Sequence, residues 1–296
     1  MYKSFEIINN FVKELWGFEL IKEHKNHSLS RVKELKNARE AMISMIQSLR
    51  KPLPDEFIKY LYPLIESSLQ WNALEEKEEI TGEFLEKCKQ RVNTQSNFYG
   101  TIFEIDMASR CLLCGWNIDF VEDYSKKGKQ IDFLIFNKSK VAGVECLSKR
   151  YADDDLTIAK INKNISEKAK KFKPECIAKL GIPLDERLLV IDLTTSYYSS
   201  PKILKDLEGI KISSLLDAVI FTWREDIKEG NNHSLRVKYK ILGNTNIGYF
   251  PVSYASEFHL TNNGPVFFIR SYIEPEPAFK SAGPLESLKE YGKRKV

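Results

Sequence analysis

GTIFEIDMASRCLLCGWNIDFVEDYSKKGKQIDFLIFNKSKVAGVECLSKR, residues 100–150, combines an amphipathic helix with three short strands. The helix, 98–115, carries Phe103, Met107, Cys111 and Cys114 along one stripe, with Glu104 beside it and Gly115 as its stop. WNIDFVED (116–123) has strand character. IDFLIF (131–136) alternates, which places Asp132 on one face with Leu134 and Phe136. NKSK (137–140) is a polar break of turn-forming residues. VAGVECLSK (141–149) is the return strand, with Gly143, Glu145, Leu147 and Lys149 on one face and Val144, Cys146 and Ser148 on the other. Paired as a hairpin, the two strands bring Asp132 and Glu145 close together. Adjacent carboxylates resist joint ionisation unless a cation lies between them. Oxygen-only ligation of that kind suits Mg²⁺ or Mn²⁺, with water completing the shell. Acidic residues at strand ends also occur without any such role, so the pair alone leaves both readings open.

Beyond the hairpin, YADDDL (151–156) sets three aspartates before a helix, where capping is the simplest use of them and metal ligation a second one. Ile158, Ile161, Ile165, Ala169 and Phe172 line one face of that helix. Lys160, Lys163, Lys168, Lys170, Lys171 and Lys173 give it a strongly basic character, either a solvated face or a surface for nucleic acid. Lys127 and Lys129, in the turn SKKGKQ (125–130), are further candidates for phosphate contact. ERLLVIDLTT (186–195) has the length and apolar content of a central buried strand.

This order resembles the PD-(D/E)xK restriction-endonuclease-like superfamily. A helix bears a Glu, a second strand an Asp, a third a Glu, and a basic helix and a hydrophobic strand follow. The resemblance covers residues 98–195 and extends toward 223. It implies a mixed central sheet with helices on both faces, and a metal-dependent nuclease that hydrolyses DNA. By the resemblance, Asp132 and Glu145 are the metal-binding pair and Glu104 is the helix carboxylate that completes the site. Ile131 stands where the motif's Pro would be. Leu147 stands where the catalytic Lys would be, two residues after Glu145. That Lys positions the attacking water and offsets charge on the phosphoryl group, and Leu can do neither. Lys149 lies on the same strand face, but about 7 Å further along. Lys168 lies beside the apolar stripe of the next helix, from which some superfamily members supply the lysine, and it ranks above Lys149. Lys163 projects away from the stripe.

The remaining chain sets these elements in context. Residues 1–97 read as a helical region and 98–296 as the nuclease-like α/β domain. Phe5, Ile8, Val12, Leu15 and Trp16 recur at helical spacing up to Gly17. HSLSRVKELKNAREAMISMIQSLRK (27–51) is amphipathic, with Ser28 or Ser30 as its cap and a stripe of Val32, Leu35, Ala38, Met42, Met45, Ile46 and Leu49. Residues 55–74, interrupted near Pro63, and 75–93 add further helix. This region serves dimerisation, DNA clamping or partner docking, or simply covers the core. ISSLLDAVIFTW (212–223) reads as a helix end or loop entering a buried strand, and LRVKYKIL (235–242) and GPVFFIRSYI (264–273) as further strands. The tail SLKEYGKRKV is basic.

With 296 residues, 43% hydrophobic and 29% charged, the composition is that of a globular protein. A net charge of +4 suits a nucleic-acid partner without requiring one. No apolar run approaches the roughly 20 residues of a membrane span, no secretory signal pattern opens the chain, and a cytoplasmic location is the expectation. Five scattered cysteines, Cys88, Cys111, Cys114, Cys146 and Cys176, do not form a disulfide framework. Cys111 and Cys114 lack the further ligands of a zinc site and read as core thiols. His233 and His259 are isolated, and neither a hydrolase triad nor a phosphate-binding glycine loop is present. Two functions remain: a Mg²⁺-dependent DNA endonuclease, and a catalytically inactive nuclease fold that binds nucleic acid or protein. A third option is a helical interaction protein whose α/β half is a scaffold.

Overall fold

The computed structural model describes residues 3–22, 32–47, 64, 67–68, 70–71, 74–75, 82–113, 115–121, 130–148, 156–194, 199–229, 232–245, 254–261 and 264–271. The chain divides into two compact units, Met1–Ser109 and Arg110–Val296.

The first unit is helical. It contains α1 (Lys3–Trp16), α2 (Lys33–Gln47), α3 (Gly82–Val92) and most of α4 (Gln95–Leu113). The apolar spacing read from the sequence becomes its core: Ile8, Val12, Leu15, Val32, Leu35, Ala38 and Met42 are all buried. Phe11 packs on Trp71 with ring centroids 5.8 Å apart, and Trp71 stacks on Phe84 at 6.3 Å. The Trp71 indole N–H donates to Glu14 at 2.7 Å, which satisfies the polar edge of a fully buried ring. The caps expected at Ser28 or Ser30 and most of the helix expected over 55–74 lie outside the described residues.

The second unit is built on an eight-stranded sheet in the order β1-β2-β3-β4-β5-β6-β7-β8. The strands are β1 (Asn117–Phe120), β2 (Phe133–Phe136), β3 (Val141–Ser148), β4 (Glu186–Asp192), β5 (Ala218–Glu229), β6 (Asn232–Gly243), β7 (Tyr254–Thr261) and β8 (Gly264–Ser271). Pairing is antiparallel except for β3–β4 and β4–β5, which are parallel. The architecture is therefore mixed α+β with a mostly antiparallel sheet. α4 ends as its sequence predicts. Gly115 at φ +83° donates to Leu112 O, and Trp116 N donates to Cys111 O, the paired bonds of a glycine-terminated helix.

The strand expected over 131–136 forms as Phe133–Phe136 with all four residues buried, Leu134 and Phe136 in one apolar cluster with Leu189 and Ile191, and Phe133 against Phe120. Of the strand expected over 116–123, Asn117–Phe120 is strand, and residues 122–123 lie outside the described residues. β7 was not among the strands expected from the sequence, although Tyr254, Phe258 and Leu260 alternate with Glu257 and His259 and only Ser256 breaks that face.

The parallel step from β3 to β4 needs a crossover, and this contains α5 (Ile158–Ala169), a 3₁₀ turn Lys170–Phe172 and α6 (Pro174–Ile177). Thr157 caps α5, its Oγ1 accepting from Lys160 N at 3.3 Å, in place of the expected aspartates, of which Asp153, Asp154 and Asp155 lie outside the described residues. Ile161, Ile165, Ala169 and Phe172 join one apolar cluster with Leu147, Leu189, Ile191, Val219 and Phe221. Asn162 ties α5 to a second 3₁₀ segment, Lys202–Gly209, donating to Gly209 O at 3.1 Å and accepting from Lys211 N at 2.8 Å.

Gly143 sets how closely this layer approaches the sheet. A Cβ there would lie 2.8 Å from Ile131 Cδ1 and from Leu184 Cδ1, and 3.1 Å from Phe172 Cε1. Gly143→Ala is expected to destabilise the protein by about 1–3 kcal/mol, as overpacking of a fitted core does. Urea denaturation reads this directly, and an unchanged midpoint would contradict the packing. No described helix is long and apolar enough to cross a membrane.

Candidate functional site

Asp132 immediately precedes β2, and Glu145 lies in the middle of β3. The antiparallel ladder carries Asp132 across to β3. Its N–H donates to Val144 O at 3.1 Å, and its side chain then takes over the ladder, Oδ2 accepting from Cys146 N at 2.8 Å. This fixes one carboxylate oxygen by backbone geometry. Asp132 is 7% exposed and Glu145 fully buried.

Two lysines reach this pair from the crossover. Lys168 donates to Glu145 Oε1 and lies 3.5 Å from Cys146 O. Lys171 donates to Glu145 Oε2 at 2.7 Å and lies 3.6 Å from Asp132 Oδ1. Lys168 thus reaches Glu145 from α5, on the side its helix spacing turns toward the sheet. The role of Lys171 was not legible as a site role, although its offset of three residues from Lys168 is the signal that both face one way. The anchor is Phe172, buried against Gly143, which turns the end of α5 toward β3.

The charges respond to this burial. Desolvation, and then the neighbouring Asp132 charge, push the Glu145 carboxyl up to about 7, against the opposing pull of Lys171 and Lys168. The site is chemically a pair of oxygen acids balanced by two ammonium groups.

Leu147, at the position of the missing motif lysine, is buried in the cluster with Ile161 and Ile165. A lysine there would place an ammonium in apolar surroundings, whereas Lys168 and Lys171 enter from the rim, 29% and 19% exposed.

Glu104 belongs to the first unit. Its buried carboxylate accepts from Lys87 Nζ and from Arg91 Nη1, each at 2.7 Å. Lys160, Lys163 and Lys170 are exposed on α5 and the turn after it, while Lys127, Lys129 and Lys149 lie outside the described residues. Among the described residues, no three His, Cys, Asp or Glu side chains group as a metal cage. Cys111 is buried, as expected of a core thiol, and Cys114 lies outside the described residues.

A second polar group lies at the ends of β3 and β4. Ser148 Oγ donates to Asp192 Oδ2 at 2.7 Å, and Thr194 N donates to Asp192 Oδ1 at 2.9 Å. Ser148 and Asp192 are register partners, so this buried bond fastens the parallel strands beyond Glu145. No local pattern marks this bond, because the two residues are 44 positions apart.

No family model matches the chain, and no curated protein matches it, so its chemistry is read from this arrangement of carboxylates and lysines.

Proposed function

We propose that the protein is a divalent-metal-dependent phosphodiesterase acting on DNA, with a PD-(D/E)xK-like core. The single observation that carries this reading is the convergence of two lysines from the β3–β4 crossover on the Asp132–Glu145 pair, Lys168 on Glu145 and Lys171 on both acids. The order of α4, β1, β2, β3, α5 and β4, with an antiparallel β1–β2–β3 meander and a parallel β4, supports it.

The donor set fits Mg²⁺ or Mn²⁺. Both ligands are hard oxygen acids, and both already approach one cationic group, Lys171. Asp132 and Glu145 would hold the ion, which when bound supplies charge stabilisation to a phosphoryl oxygen and activates water. Lys168 holds a positive charge beside the pair, where it orients the attacking water and offsets charge developing on the phosphoryl group. Exposed Lys160, Lys163 and Lys170 draw in the phosphate backbone. Cys88, Cys111, Cys146 and Cys176 form no disulfide with one another, which suits a cytoplasmic setting. The helical first unit suits a homodimer contact.

The second reading, an inactive nuclease fold kept as a binding module, draws on the same site. Two lysines already neutralise the carboxylates, so the fold does not require a metal.

Calorimetric titration of Mn²⁺ into the wild type and Asp132→Ala, followed by plasmid cleavage on the same samples, separates the two. The nuclease reading expects metal binding and cleavage in the wild type and loss of both in the variant. A wild type that neither binds Mn²⁺ nor cleaves leaves the binding module.

A further inference from the structure

Lys168 and Lys171 do not hold the carboxylates in the same way. Of the two acids Lys168 meets Glu145, at Oε1, and it also donates to Cys146 O at 3.5 Å. Lys171 meets one oxygen of each acid, Glu145 Oε2 at 2.7 Å and Asp132 Oδ1 at 3.6 Å. The other Asp132 oxygen, Oδ2, is occupied by the Cys146 N–H. Lys171 thus lies between one oxygen of each acid, the place a cation shared by the two would take.

We propose that the Lys171 ammonium is a displaceable internal counter-cation, which holds the position shared by Asp132 and Glu145 until a divalent ion takes it. The inference rests on the metal-dependent reading above and concerns how that site is gated. An ammonium and a divalent cation repel each other and cannot share the position. The backbone at Lys171 is held by its neighbour Phe172, buried against Gly143, so the lysine side chain is the part that moves. That side chain has a flexible four-carbon stem and is 19% exposed, which gives the ammonium a route to water. Lys168 stays on Glu145 Oε1 and keeps a positive charge at the site after the exchange.

Two consequences follow. The metal-free protein keeps its buried acids compensated, so it folds without a metal. The divalent ion binds only the fraction of molecules in which Lys171 has moved away, which weakens its apparent affinity by that fraction.

The test is calorimetric titration of Mn²⁺ into the full chain as wild type, Lys171→Met and Lys168→Met. Lys171→Met should bind Mn²⁺ about tenfold more tightly than the wild type, because the competing state is gone. Lys168→Met should show a smaller gain. In the wild type, acetic anhydride labelling followed by mass spectrometry should find Lys171 modified slowly without Mn²⁺ and faster with it. This second measurement decides the matter if Lys171→Met does not fold. Equal Mn²⁺ affinity in the wild type and Lys171→Met, or Lys171 labelling that ignores Mn²⁺, overturns the proposal and leaves the metal-dependent reading standing. Absence of Mn²⁺ binding in every variant, Lys171→Met included, overturns that reading and this one together.

Discussion

Glu145→Gln is expected to abolish divalent-metal binding and DNA cleavage together. The substitution keeps the shape of a fully buried side chain and removes its charge. With one carboxylate gone, Asp132 alone would have to hold the ion. The same variant has an effect that does not depend on activity. The Glu145 carboxyl titrates at about 7 in the folded protein, against an ordinary value of 4.5. Between those values the folded protein binds a proton that the unfolded chain has released. Stability of the metal-free protein therefore falls as pH rises from 4.5 toward about 7, by up to about 3 kcal/mol at about 1.4 kcal/mol per pH unit. Glu145→Gln removes this group, so its stability should lack that fall. Chemical denaturation in the presence of a chelator at pH 5 and pH 8, for both proteins, measures it. Parallel pH profiles would show that Glu145 is not the group responsible.

Lys168→Met is expected to lower DNA cleavage by about 10²–10³-fold, the cost of losing a donor aimed at developing phosphoryl charge, while Mn²⁺ binding survives. Met retains most of the aliphatic stem, and Lys171 still compensates Glu145, so the fold should tolerate the change. Lys149→Met is the matched comparison. Lys149 is the other lysine near the motif position, and its substitution should leave cleavage near the wild-type rate if Lys168 fills the role. Loss of cleavage in Lys149→Met with full activity in Lys168→Met would move the role back onto the strand. Single-turnover assays at saturating Mn²⁺ keep the chemical step apart from metal affinity.

The site was legible to different depths at its different residues. Asp132 and Glu145 stand out because a polar residue in a short apolar strand is conspicuous at a period of two. Lys168 was legible as a reach from a helix, because the apolar stripe Ile158, Ile161, Ile165, Ala169 and Phe172 fixes which side of α5 faces the sheet. Lys171 was not separable from the other lysines. Whether a lysine at the end of a helix turns inward depends on the 3₁₀ turn Lys170–Phe172 and on where Phe172 lodges. The expected aspartate cap gave way to Thr157 because a cap is set by the residue at which the backbone leaves extended geometry, here φ −119° and ψ 155°.

The order of helix, strands, basic helix and buried strand, the apolar stripes of α1, α2 and α5, and the carboxylates at 132 and 145 can all be read from the residues alone. These follow from local periodicity, which depends on residues a few positions apart. The burial of β2 on both sides, the place of Leu147 in the core, the Ser148–Asp192 bond and the bridging of both acids by Lys171 emerge only in the folded chain. Each of these joins residues distant in sequence. They are settled by strand register and by the close approach of Phe172 to Gly143, neither of which has a local signature.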